Sequence, residues 1–205
     1  MIETGFLVTA FTMLFVVINP LGLVPLFIAL TRGMEAGQRR AMALRACIIA
    51  TVLLTLFAIT GEALLDFIGI TKPAFRIAGG VLIFLFALDM LFERRSRGGA
   101  GQHADPDHDP SVFPLATPLI AGPGAIATTI LLVGQTGGGW AGTLAVLALI
   151  YTMMITTFLF LLAAPPIERA LGRTGTVVIT RLLGMLLAAL AVQFVIDGVR
   201  GAGLI

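Results

Sequence analysis

The chain has 205 residues, of which 58% are hydrophobic and 12% charged, with a formal net charge of +2 and a mean hydropathy of +1.04. Soluble domains carry about 25% charged residues, so this composition excludes an ordinary soluble domain. The small excess of basic residues points to membrane topology and gives no indication of nucleic-acid binding.

In chain order, six apolar segments reach or approach the roughly 20 residues needed to cross a bilayer: 6–30, 46–68, 75–92, 112–133, 141–164 and 176–196. The first begins almost at Met1, with no basic region and no small-residue cleavage site ahead of Ala10, so it reads as a membrane span rather than a removable signal peptide. Inside it stands Asn19-Pro20-Leu21-Gly22-Leu23-Val24-Pro25. Proline lacks a backbone donor and frees a carbonyl one turn earlier. In hydrocarbon such freed groups are tolerated only where protein buries them or a cavity opens beside them. Asn19 is read either as a contact for a zwitterionic solute or as an interhelical hydrogen bond.

The second segment carries Cys47, the only cysteine, among apolar neighbours, which rules out an internal disulfide. It also carries Thr51 and Thr55 at helical spacing, hydroxyls that ordinarily bond back to their own helix. Glu62 is its deepest carboxylate and the first candidate for proton coupling. The third segment opens with Arg76-Ile-Ala-Gly79-Gly and ends near Asp89. Residues 93–111 form a Gly-rich connector holding His103 and His108 among aspartates, read as a solvated loop rather than a metal site.

The fourth segment repeats the first, as Thr117-Pro118-Leu119-Ile120-Ala121-Gly122-Pro123-Gly124. If the chain breaks there, a new helix starts with free N–H groups that favour a carboxylate, and Thr128 lies one turn on. The alternative is a pair of proline kinks that improve packing. The fifth segment has Thr152 and Thr156 on one face. The sixth opens with Arg181-Leu-Leu-Gly184, matching Arg76-Ile-Ala-Gly79, and ends near Asp197. Arg76 and Arg181 are read equally as functional charges, pairing with Glu62, Asp66 or Asp89, or as side chains reaching the interface. Gly184 and Ala188 form a small-residue pair suited to close helix contact.

Ten basic residues fall in or beside the 1–2, 3–4 and 5–6 loops, against Lys72, Arg76 and Arg200 on the other side. Positive residues mark the cytoplasmic face, so both termini are expected outside. The expected fold is all-α: six transmembrane helices as two inverted three-helix repeats, about 1–92 and 112–205, joined by a cytoplasmic linker, with helices 1 and 4 broken by the Pro/Gly motifs. Matched breaks in two such halves point to a transport site at their interface. The candidate substrate residues are Asn19, Pro20, Gly22, Pro25, Thr117, Pro118, Gly122, Pro123, Gly124 and Thr128. Arg76, Arg181 and Glu62 are candidates for charge pairing or coupling.

These motifs, with Phe-x-x-Ile-Asn19-Pro20-x-Gly-x-x-Pro25-x-Phe and Pro114-Leu-Ala-Thr-Pro118-Leu-Ile-Ala-Gly122-Pro123-Gly124-Ala, resemble the MarC family of bacterial inner-membrane proteins across nearly the whole chain. The family name comes from a multiple-antibiotic-resistance locus, which does not establish drug transport. Family classification implies transport of small neutral amino acids such as glycine and alanine, because a related archaeal member has that assignment. The acidic, histidine-containing loop is where this chain departs from the family. The expectation is a secondary transporter working by alternating access in the inner membrane, driven by a proton or sodium gradient or by the solute itself. No metal, cofactor or nucleotide-binding loop is expected. The alternatives are an exporter of another small metabolite and a helper subunit that transports nothing. An intramembrane enzyme is disfavoured, since no nucleophile–base pair lies at depth.

Overall fold

The computed structural model describes residues 4–92, 109–137 and 139–204, and every regular element among them is helical. The helices are α1 (Thr4–Ile18), α2 (Pro20–Leu30), α3 (Ala36–Ile68), α4 (Lys72–Leu91), α5 (Ser111–Ile120), α6 (Pro123–Gln135), α7 (Trp140–Leu162) and α8 (Ala164–Gly201). Five stretches are long and apolar enough to span a membrane: Thr4–Leu30, Ala36–Ile68, Lys72–Leu91, Trp140–Leu162 and Val177–Gly201. A sixth arises if α5 and α6, bent by 50° where they meet, form one span.

α3 starts ten residues before the apolar segment. Residues 36–45 include Arg39, Arg40 and Arg45 and carry no apolar signal, yet they are helical. A capping box starts them: the Glu35 side chain accepts from the third helical position while its own backbone N–H donates to Gln38 Oε1 at 3.1 Å. Gly69 ends α3 in the left-handed conformation, which glycine adopts without a side-chain clash. The chain then reverses, and Thr71 caps α4 by accepting from the Ala74 N–H at 3.3 Å. α8 is interrupted at Gly172, whose φ of 61° and ψ of 173° suit glycine alone. Its spanning part therefore begins at Val177.

The tightest pairing joins α4 and α8, which run antiparallel. A Cβ on Gly80 would stand 2.8 Å from the Ala191 carbonyl oxygen and 2.8 Å from Val195, and one on Gly198 would stand 2.6 Å from Ile77. Gly184 faces Met90 and Ala87 in the same way, as the Gly184/Ala188 spacing leads one to expect. Small residues allow this approach, and packing supplies the attraction that hydrophobic exclusion cannot supply in lipid. α6 is buried along almost its whole length, packed by α1, α3, α4 and α7, as a helix apolar on every side should be. Large apolar side chains cover the outside of the bundle. Phe67 (89% exposed) and Trp140 (77%) mark helix ends, where aromatic rings settle at the membrane interface. Cys47 lies buried in the core.

Candidate functional site

The first Pro motif is built around Asn19. Pro20 has no N–H to continue α1, and Asn19 takes φ 50° and ψ 65°, a left-handed conformation that asparagine tolerates better than most residues. Its backbone N–H still donates to the Phe15 carbonyl at 2.9 Å, and its carbonyl accepts from the Leu23 N–H at 3.2 Å. Its side-chain Oδ1 accepts from the Gly22 N–H at 3.2 Å, capping α2. The remaining amide donor reaches Met90 Sδ of α4 at 3.9 Å, a weak partner for a buried N–H. Gly22 is required here, since a Cβ would collide with the Asn19 amide.

The second motif is wound differently. Asp109 opens it: its Oδ1 accepts from the Ser111 N–H at 2.9 Å and from the Ser111 hydroxyl at 2.7 Å. These two bonds, backbone first, hold the Asp109 carboxyl below the usual aspartate range, and the nearby Arg45 guanidinium adds to the effect. Phe113 and Thr117, each preceding a proline, are extended, as the proline ring dictates. The segment closes in a wide turn, with the Ala121 N–H on the Ala116 carbonyl at 2.8 Å. A Cβ on Gly122 would strike the Pro118 carbonyl oxygen. Pro123 then takes the first position of α6, where its missing N–H is no loss.

Gly124 of the second motif packs against α1, just ahead of the first motif, and against α4. Its missing side chain leaves room for Val17 of α1 and Ile83 of α4, at 3.3 and 3.6 Å from where a Cβ would stand. Asn19, Pro20, Gly122, Gly124 and Thr128 are buried, and Gly22 and Pro118 are half-buried. Pro25, Thr117 and Pro123 are exposed. Thr128 and Thr129 are fully buried, with hydroxyls that have no hydrogen-bond partner among the described residues. In α3 and α7, Thr51, Thr152 and Thr156 bond back to carbonyls four residues earlier at 2.6–2.8 Å.

The charged candidates separate. Glu62 pairs with Lys72 at 2.6 Å across the α3–α4 turn and also stands over Gly134 of α6. Arg76 joins them around a small cavity of about 30 Å³. Arg181 is exposed where the spanning part of α8 begins. Lys72 was missed by sequence reasoning, which considered Glu62 against Arg76 and Arg181 alone. The signal was a carboxylate and an ammonium on either side of a glycine turn. The histidine connector, 93–108, lies outside the described residues. Among those residues no group of three His, Cys, Asp or Glu side chains is placed to hold a metal.

Residues 4–203 match the description MarC family integral membrane protein. The chain belongs to the MarC family. This MarC protein is 37% identical over 206 residues to the UPF0056 membrane protein MJ1677 of Methanocaldococcus jannaschii, covering 98% of each chain. It is 38% identical over 203 residues to the UPF0056 membrane protein YvbG of Bacillus subtilis, covering 96% of this chain and 95% of the relative. It is 32% identical over 194 residues to the UPF0056 inner membrane protein YhgN of Escherichia coli, covering 95% and 96%. No solved structure matches it. The MarC protein is thus an integral, multi-pass membrane protein.

Proposed function

We propose that this MarC protein is a secondary transporter of small neutral solutes, namely small neutral amino acids such as glycine and alanine. It works by alternating access between two inverted repeats, with the substrate held where the α1–α2 and α5–α6 breaks meet. Both termini face the outside of the inner membrane.

The observation that carries this reading is how the packing behaves when the halves are exchanged, α1–α2 for α5–α6, α3 for α7 and α4 for α8. α2 packs on α7 and α8, and α6 packs on α3 and α4. α1 packs on α7, and α5 packs on α3. The α3–α7 and α4–α8 pairs map onto themselves. Glycines on both members of the central pair let them approach, Gly80 against α8 and Gly184 against α4, while Gly79, the residue that aligns with Gly184, faces Ala127 and Leu131 of α6. Three-helix units related in this way would be inverted, and inverted repeats supply two half-states around one central site. The α1–α6, α1–α8 and α6–α7 contacts are the part of the packing that the exchange does not reproduce to the same extent. At that site the first-turn N–H groups of α6 suit a substrate carboxylate. The Asn19 amide and the unpartnered Thr128 hydroxyl suit an ammonium or small polar group.

The experiment is uptake of radiolabelled glycine and alanine into proteoliposomes holding the purified protein, with and without an inward proton gradient. Saturable flux, competed by other small neutral amino acids and raised by the gradient, is the expected result. No flux from folded protein overturns the substrate. Flux of another metabolite only would favour the exporter reading.

A further inference from the structure

Resting on the carrier reading, we infer that the Glu62–Lys72 ion pair is the outer gate, closed in this structure. Two cavities occupy equivalent places in the two halves. One lies between the C-terminal end of α6 and the α3–α4 turn, lined by Ile130, Leu131, Gly134, Glu62, Lys72 and Arg76, and holds about 30 Å³. The other lies between the C-terminal end of α2 and the α7–α8 turn, lined by Ile28, Thr31, Arg32, Arg39, Glu168 and Arg169, and holds about 320 Å³. The first has room for about one water, and the second reaches the size of a small-molecule site.

Charge explains the difference. At the narrow cavity the Glu62 carboxylate and the Lys72 ammonium stand 2.6 Å apart and draw the turn over α6, where Gly134 leaves Glu62 the space to lie. At the wide cavity three arginines surround one glutamate, and no ion pair bridges them among the described residues. That mouth therefore lacks the ionic closure seen at the narrow one. The closing pair is itself partly solvated, with side chains 24% and 56% exposed for Glu62 and Lys72. A partly hydrated pair is weak enough to separate and re-form during a cycle.

The test needs no substrate. In a Cys47→Ala background, Leu131→Cys places a thiol in the narrow cavity and Ile28→Cys places one in the wide cavity. A membrane-impermeant methanethiosulfonate is applied to right-side-out and inside-out vesicles. With Glu62 and Lys72 intact, the thiol at 131 is expected to react slowly from outside and the one at 28 quickly from inside. Glu62→Gln or Lys72→Gln should speed outside labelling at 131 by roughly tenfold or more, the ratio that about 1.4 kcal/mol of lost closure produces. The exchanged pair Glu62→Lys with Lys72→Glu should slow it again, which a general loss of folding cannot do. Rates at 131 that do not respond to either charge, or fast labelling with the pair intact, overturn the gate. Labelling that follows the charges without amino-acid flux keeps the gate and discards the substrate. Flux with unresponsive labelling does the reverse.

Discussion

α2 and the α5–α6 junction share the Pro-Leu-x-x-x-Pro pattern, yet α2 and α6 occupy different surroundings. With Pro25 set against Pro123, Leu26 corresponds to Gly124 and Thr31 to Thr129. Leu26 is half-buried on a helix that leaves Pro25 and Ala29 exposed. Gly124 is buried between Val17 and Ile83. The Thr31 hydroxyl donates to its own Phe27 carbonyl at 2.7 Å, whereas Thr129 has no partner among the described residues. The buried copy thus keeps the unspent polar groups and the missing side chain, and the open copy is internally satisfied. One repeated motif thus sits in two settings, with α6 in the interior of the bundle and α2 bordering the wide cavity.

The comparison depends on the α4–α8 pair holding both halves in register, and breaking that pair should have the largest effect. Gly80→Val sets a side chain against the Ala191 carbonyl, which cannot retreat as a flexible side chain would. A loss of about 1–3 kcal/mol or more is expected, read as a lower unfolding midpoint and little folded protein in detergent. Gly37→Ala, with open space around it, should leave both unchanged or slightly improved.

Next, Gly124→Leu gives α6 the residue that α2 carries. It should reduce glycine or alanine flux by roughly a hundredfold, the equivalent of about 2.7 kcal/mol, with insertion intact. Leu26→Ala on α2 should lower flux only slightly. Asn19→Ala should also abolish flux in folded, inserted protein. Wild-type uptake by both Gly124→Leu and Asn19→Ala would remove the proposed site.

Thr128→Val sharpens the contrast further. Deleting a buried hydroxyl that has no partner among the described residues should stabilise the protein by about 1 kcal/mol, since an unsatisfied group carries a desolvation penalty of that order. The apparent affinity for substrate should fall at the same time. A stability gain with unchanged affinity would make Thr128 a packing residue. The smallest effect belongs to Asp109→Asn. The Asp109 carboxyl is depressed in the folded state, so its stabilisation is complete above the ordinary aspartate value of about 3.9 and is lost as pH falls through the lower folded value. The wild type should exceed the variant slightly in unfolding midpoint at pH 7, and the difference should vanish in strong acid.

The membrane-spanning helices could be read in advance because hydropathy reports on the bilayer. The helical extension 36–45 escaped because a charged helix outside the membrane lacks the apolar run used to find spans. Its local signal was Glu35 and Gln38, a capping pair. Asn19 and Gly124 could be found because a proline or glycine in an apolar run is chemically conspicuous. The exposure of Pro25 and Thr117 could not be found, since a segment apolar on all sides has no periodicity to say which face turns inward. Lys72 required the reversal at Gly69, which returns the chain close enough for Glu62 to reach it.

The length of α3 has a consequence for the bilayer. Its apolar part, 46–68, measures about 35 Å at the usual rise per residue, close to the roughly 30 Å of hydrocarbon. The preceding turns carry Arg39, Arg40 and Arg45, side chains suited to the headgroup layer. Anionic lipid attracts each such cation, so the helix is pinned in height by the leaflet it emerges from. A helix anchored at one end and matched in thickness along the rest can tilt but not slide. Lipid charge and membrane thickness therefore become settings on how far α3 can move.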